Sequence, residues 1–525
     1  MITRPTVTIC RDPQGSLFND LLATESCATV DSSVRGRTFN QPDPDTIYLG
    51  QTSLKNYLKS AKITAPFIIR DFLIQQDWQP LESLYAPTGR APYAPFAMMG
   101  LILYGIQKGI TSLRRLEEFA RVDLGCLWVT GGITPDHSVI GKFICRHHEQ
   151  IQGTLFVGLT TSIVQRTGGQ GESVAGDGTV IEAACSHYRL LKKEAVELAL
   201  NKARRVAERK PEDQPSQARL LQAQRTADVM NERVENKRAT GQKIDTLRIS
   251  AQEPDAMMQR QKRGRGSAPS YKPSVLVNDQ RLILGQAVHA SSETSVIPHM
   301  LDQSESITGA AVNELMLDSG YCSHGVISET LERDISLLCP EGRIPGEGKS
   351  SDKKYTKGQF TYEPQQDHYR CPANQSLGLI SSYKGNATTP AYQLYGAKAC
   401  GECLLRDKCT TAKVGRRIKR YPQDEAKEAL RQVMSHRAAK QRFRNRQAWV
   451  EPVFSVLRGN QGLNRFRRKG LESVQTEFGL HVLAYNLGRL LAFFCALFNC
   501  LLSITSRVSS RNWIDVRSLA LSPTI

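Results

Sequence analysis

Residues 174–184 read VAGDGTVIEAA, and the fold turns on them. Apolar and β-branched side chains surround Asp177, with small residues on either side, which predicts a strand. A carboxylate inside an apolar strand must be paired, hydrogen-bonded or metal-bound, because burying an isolated charge is costly. Taken alone, Asp177-Gly178 is also a turn signal.

Downstream, Leu190 to Arg263 is charged, mixed in sign and poor in aromatics, the pattern of a helical insertion or a solvated helical hairpin. Gly264–Ser270 (GRGSAPS) reads as a linker. Ser274–Asn278 and Arg281–His289, joined by Asp279-Gln280, predict a hairpin. Glu314–Leu317 is a short strand ending at Asp318, Gly325–Arg333 a helix and Ile335–Cys339 a strand. The order strand, helical insert, hairpin, helix, strand, helix, strand defines an α/β core. Residues 340–412 are polar and Cys-containing, too poor in apolar residues to build a core of their own. Helical pattern returns at Glu425–Arg446 and Leu471–Ala496.

Upstream, residues 66–165 look helical. Pro95–Lys108 is apolar enough for a buried helix that Gly109 can stop. Leu113, Leu116, Phe119 and Ala120 share one helical face. Thr134-Pro135-Asp136 caps a further helix from Val139 to about Gln165. A DNA-binding helix-turn-helix unit and a plain helical bundle both satisfy this pattern. Residues 1–60 are rich in Thr, Asp, Pro and Ser and show no periodicity.

The chain of 525 residues carries 69 Lys+Arg against 51 Asp+Glu, a net of +18, and 40% hydrophobic residues. Length indicates more than one domain, and the apolar content rules out wholesale disorder. The charge draws the chain towards polyanions. Most of it is concentrated: Lys413 to Gly470 holds 17 Lys/Arg and 4 Asp/Glu, a net of +13. Trp449, Phe454, Leu457 and Phe466 in the same stretch want a core, so it reads as a folded basic face and not a tail. Arg444, Arg446, Arg458, Arg465, Arg467, Arg468 and Lys469 are its candidate phosphate contacts.

Met1–Asp20 lacks a basic region followed by an apolar run, so no secretory signal is expected. Leu490–Ile504 is apolar but broken by Asn499 and shorter than the ~20 residues of a membrane span, which favours a buried or oligomer-facing helix. The 13 cysteines are scattered, as in a reducing compartment, apart from Cys371, Cys400, Cys403 and Cys409. Their Cys-x₂₈-Cys-x₂-Cys-x₅-Cys spacing contains a metal-knuckle CxxC, a candidate structural Zn²⁺ site.

Three acids stand out: Asp177, Asp318 before Ser319-Gly320-Tyr321, and Glu451 in Trp449-Val450-Glu451-Pro452-Val453-Phe454. The first two have turn readings, and Glu451 an ion-pair reading with Arg446 or Arg458. AGDGTVIEAA, LDSGY and VEPVFSVLRGNQGLNRFRRKGLESVQTE, together with residues 89–143 and LHVLAYNLGRLL, resemble bacterial insertion-sequence transposases of the DDE type, within them the insertion-sequence eleven-eighty-two group. The resemblance runs over roughly residues 80–492. It departs from the Tyr, Arg, Glu, Lys signature of related enzymes, with Arg444, Gln447 and Arg458 at the Tyr, Arg and Lys positions.

The resemblance implies an α/β chain with a ribonuclease H-like catalytic core, a helical insertion and a Cys-rich insertion, behind an all-helical N-terminal domain. The expected boundaries are an unassigned segment 1–65, a helical DNA-binding domain 66–168, a catalytic domain 169–480 with inserts 190–268 and 340–412, and an apolar C-terminal helix and tail 481–525. Asp177, Asp318 and Glu451 are implied as catalytic ligands of Mg²⁺ or Mn²⁺ for two-metal phosphoryl transfer. The implied partner is double-stranded DNA, both the element's terminal inverted repeats and the target, held by a homodimer or higher oligomer without a membrane. The implied setting is the bacterial cytoplasm at the nucleoid. A decayed or domesticated non-catalytic DNA-binding protein and a nuclease without strand transfer are the alternatives.

Overall fold

The computed structural model describes residues 38–40, 43–239, 241–261, 266–342, 355–385, 391–422 and 424–518, the side chains of 398–399 and 499–518 excepted. Residues 1–37 of segment 1–65 and the tail 519–525 lie outside the described residues.

The N-terminal half is helical: α1 Ala65–Ile74, α2 Pro95–Gln107, α3 Leu113–Val122, α4 Leu124–Thr130, α5 His137–Arg146 and α6 Thr154–Thr167. Helix α2 starts on Pro95 and stops just before Gly109, whose φ of 72° is left-handed. Helix α3 buries Leu116, Phe119 and Ala120. Asp136 caps α5 by accepting from the Ser138 and Val139 amides. The single helix expected from Val139 to Gln165 is three, His137–Arg146, His148–Gln152 and Thr154–Thr167, broken at His147 and at Gly153, whose φ −103°, ψ −102° is not helical.

The central elements are β1 Ser173–Gly178, β2 Ile181–Glu182, α7 Lys193–Arg209, α8 Gln214–Ala239, β3 Met257–Arg260, β4 Ser267–Val277, β5 Ile283–His289, α9 Ile297–Thr308, β6 Glu314–Met316, α10 His324–Glu332 and β7 Ser336–Leu338. Strand order is β5-β4-β1-β6-β7, with β1, β6 and β7 mutually parallel and β4 antiparallel to both neighbours. The first half of β4 runs on to pair with β3 and β2. Helices α7 and α8 form a hairpin with a small core of its own, built on Val196, Ala227, Met230, Val234 and Ile249.

The expected linker is not one: from Ser267 on, GRGSAPS opens the longest strand of this sheet. Pro269 and Pro273 disguise it, since proline lacks the ladder's N–H. Their carbonyls are nevertheless used, accepting from the Ala183 and Thr179 amides.

Residues 361–420 form a second sheet, antiparallel and in sequence order: β8 Thr361–Glu363, β9 His368–Arg370, β10 Ser376–Tyr383, β11 Tyr392–Gly396 and β12 Arg417–Arg420. This corrects the expectation of a coreless insert, for Phe360, Tyr369, Leu377, Tyr395 and Ile418 are buried together. Tyrosine supplies the apolar bulk that a count of aliphatic residues overlooks.

The chain closes with α11 Asp424–Ser435, α12 Arg437–Phe443, α13 Asn445–Ser455, a π turn Val456–Asn460 and α14 Leu471–Ser518. Within α14, Leu471–Phe498 is long and apolar enough to cross a membrane, yet half of its apolar window is buried. Val474, Phe478, Val482, Leu483 and Leu487 enter the main core, and Asn486 hydrogen-bonds both the amide and the carbonyl of Ile283 at 2.9 Å. That core is continuous from Phe39 to Leu490, so the N-terminal helices, the sheet and α14 pack around one interior.

Candidate active site

Parallel pairing places the first two acids. Glu314, Leu315 and Met316 of β6 lie opposite Ser173, Val174 and Ala175 of β1. Continued two residues further, that register sets Asp318 beside Asp177, about 4.8 Å being the usual spacing of neighbouring strands. Gly176 permits the approach: a Cβ there would meet Leu317 at 2.5 Å and Leu276 at 2.9 Å. The Asp177 side chain is 25% exposed and that of Asp318 45%. Asp318 is fixed by accepting the Gly320 amide at 2.8 Å, which caps the turn Ser319–Tyr321.

Arg446, near the start of α13, stands over this pair. Its Nη2 is 3.1 Å from Asp177 Oδ1 and 3.8 Å from Asp318 Oδ2, while Nε donates to Gly176 O at 3.1 Å. Nη2 is buried and has no hydrogen bond of good angle, so the contact is chiefly one of charge. A buried cation thus already bridges the two carboxylates.

Glu451 stands apart from that contact. It lies five residues beyond Arg446 on α13, about 140° around the helix. It is exposed and accepts from Gln447 Nε2 at 2.8 Å. Pro452 sits inside α13, and the π turn begins four residues later, at Val456. Among the described residues, no group of three or more His, Cys, Asp or Glu side chains is arranged to hold a metal ion.

The basic segment divides by what each cation touches. Arg458 Nη2 donates to Thr179 Oγ1 and, at 2.7 Å, to Val180 O. Arg465 donates to Ala183 O at 3.1 Å and Cys185 O at 2.6 Å, and the Phe466 amide to Glu182 O. With Arg446 on Gly176 O, three arginines bind the chain from 176 to 185 to the segment that carries Glu451. Arg467 Nε reaches Thr111 Oγ1 and Arg468 Nη1 reaches Cys145 Sγ, while both backbone amides donate to the buried Glu477 carboxylate. Arg444 and Lys469 are exposed. Arg444 also lines an open cleft of about 480 Å³ with Arg437 and Lys440.

Several groups at this edge were missed in the sequence. Tyr321 is wholly buried, and its hydroxyl is held above its usual pKa by burial and by Glu293, then by Asp177 and Asp318. Glu293 pairs with Lys272 at 2.9 Å. Cys339 Sγ donates to Asp318 O at 3.1 Å. A hydrogen bond between Cys339 and Cys322 brings the Cys322 thiol down to about 7 and, with burial, raises Cys339. No spacing rule links these positions; only the strand order does.

Residues 370–491 match the family model described as transposase DDE domain. Residues 67–146 match the one described as transposase domain (DUF772). The first match contains Glu451 and all four clustered cysteines, while Asp177 and Asp318 lie outside it. No curated protein matches the chain. Over those two segments the chain is therefore similar to transposase domains, one of them of the DDE type.

Proposed function

We propose that this chain is a DNA transposase of the insertion-sequence eleven-eighty-two group, which cleaves the phosphodiester backbone at element ends and joins the 3′ end to target DNA. The observation that carries the reading is Asp177 on β1 and Asp318 just past the end of the adjacent parallel strand β6, bridged by Arg446. The strand order β5-β4-β1-β6-β7, with an antiparallel hairpin on one side and parallel strands on the other, supports a ribonuclease H-like core. Glu451 follows on a helix bound to β1 through Arg446.

Two carboxylates that already share a cation fit Mg²⁺ or Mn²⁺, which prefer oxygen donors. Asp177 and Asp318 are the residues that would hold it, with Glu451 on the following helix as the third candidate ligand. When bound, such ions stabilise the charge on the attacking and leaving oxygens of phosphoryl transfer. In the metal-free chain Arg446 holds the two acids in register until an ion takes its place, and the contacts of Arg458 and Arg465 with residues 179–185 keep the segment after α13 against β1. The cleft of Arg437, Lys440 and Arg444, with Lys469, is the surface offered to phosphates.

The test uses purified protein, a labelled terminal-repeat duplex and Mg²⁺. D177A, D318A and E451A are each expected to lose cleavage by several orders of magnitude while DNA binding stays within a few fold. Wild-type cleavage by D318A would overturn the reading. Cleavage without joining would leave a nuclease.

A further inference from the structure

We infer that Cys371, Cys400, Cys403 and Cys409 form a structural zinc site that fastens the loops at one end of the second sheet. The four residues come from three separate turns. Cys371 follows β9, Cys400 and Cys403 lie in the turns after β11, and Cys409 ends the short helix Arg406–Cys409. The structure brings all four to the wall of one cavity of about 30 Å³, the space of a single small ion or water, whose other walls include Leu377 and Leu405. Cys371, Cys400 and Cys403 all lie within electrostatic reach of Cys409. Four soft donors and no carboxylate around an apolar pocket select zinc over magnesium.

The backbone is shaped for the same purpose. Residues 371–375 turn back on themselves, the Cys371 amide donating to Gln375 O and the Asn374 amide to Cys371 O. The Gln375 amide points at Cys371 Sγ at 3.3 Å, a donor that stabilises a thiolate. On the other side, Arg406 closes the loop by donating to four carbonyls, those of Cys400, Gly401, Ala412 and Lys413. Gly415, at φ 86°, lies so close that a Cβ would stand 2.6 Å from Cys400 Cβ. Since no three such side chains yet stand in ligating geometry, binding draws the sulfurs inward, to Zn–S near ~2.3 Å.

The need is physical. The sheet has five buried hydrophobic side chains and only half-buried neighbours around them. So small a core stabilises little by itself, and domains of this kind are commonly held by a metal or disulfides. All four cysteines are free thiols.

Full-length protein purified under reducing conditions and dialysed is expected to carry about one zinc per chain. The C495S variant, which changes an exposed cysteine on α14, is expected to keep it, as are D177A and D318A. The C403S variant is expected to lose most of it. Replacement of zinc by Co²⁺ in the wild type is expected to give the thiolate-to-cobalt charge-transfer band of a sulfur-rich tetrahedral site, a readout independent of how C403S folds. Folded wild-type protein with neither zinc nor that band would overturn the inference. So would full zinc in C403S, or mass spectrometry showing these cysteines paired as disulfides in the reduced preparation.

Discussion

At the scale of single residues, Arg446 is the pivot. Like-charged carboxylates side by side repel, and a guanidinium between them removes the repulsion at the price of tying α13 to the sheet. R446A is therefore expected to destabilise the fold by about 1–3 kcal/mol, the usual loss when a half-buried charge group loses its partner. Urea unfolding measures it. Adding Mg²⁺ should restore part of that loss in R446A and little in wild type, because a cation then fills the place of the guanidinium. Equal Mg²⁺ responses would show that Arg446 does not stand at the metal-binding position. R446K keeps the charge but loses the fork to Gly176 O, so an intermediate stability is expected.

At the scale of elements, the basic segment separates into groups that hold protein and groups free to hold DNA. R458A and R465A each break hydrogen bonds from a charged donor to carbonyls of the segment 176–185, an expected cost of about 1.5–3 kcal/mol each. Cleavage should fall with them, while the slope of DNA affinity against salt stays as in wild type. R437A, K440A and R444A should do the reverse, each flattening the slope by about one and leaving unfolding unchanged. A flattened slope in R465A would move that residue to the DNA surface.

The same distinction marks what was legible in the sequence. Asp177, Asp318 and Glu451 stood out because an acid in an apolar run breaks a local rule, helix α2 because an apolar run begins at Pro95 and stops before Gly109, and α3 because its apolar residues share one helical face. The second half of β4 was legible as the first strand of the hairpin, while its first half, Ser267–Pro273, stayed hidden behind prolines whose carbonyls, not amides, make the ladder. The second sheet stayed hidden because its core is small and leans on Tyr369 and Tyr395 as well as Phe360, Leu377 and Ile418. The arginine contacts with carbonyls could not be read at all, since a cation paired with a backbone oxygen almost 300 residues away leaves no pattern in composition.

At the scale of the whole molecule, one continuous core joins the N-terminal helices, the sheet and α14, so a charge forced into it should be felt globally. Two histidines sit there. His481 on α14 is wholly buried against Gln461 Oε1, and burial lowers it from 6.5 to about 3. His147, buried against Tyr85, is lowered to about 4. Both stay neutral in the folded chain while the unfolded chain takes up protons below 6.5. Their contribution is thus fully present above pH 6.5 and is lost as pH falls towards 4 and 3, by up to about 1.4 kcal/mol per pH unit for each. The raised carboxyls of Glu253 and Glu477 act with opposite sign, being protonated first in the folded state. The difference between wild type and H481Q isolates one histidine from them. Glutamine still donates to Gln461 but takes up no proton in the unfolded chain, so the two proteins should be closest at pH 5, where H481Q has escaped the loss, if the substitution costs packing at neutral pH. In urea midpoints taken from pH 7 to pH 5, wild type should therefore fall more steeply than H481Q, by about one histidine's worth of slope. Parallel pH profiles would show that His481 is protonated in the folded chain and that α14 is less tightly packed on the sheet than its burial indicates.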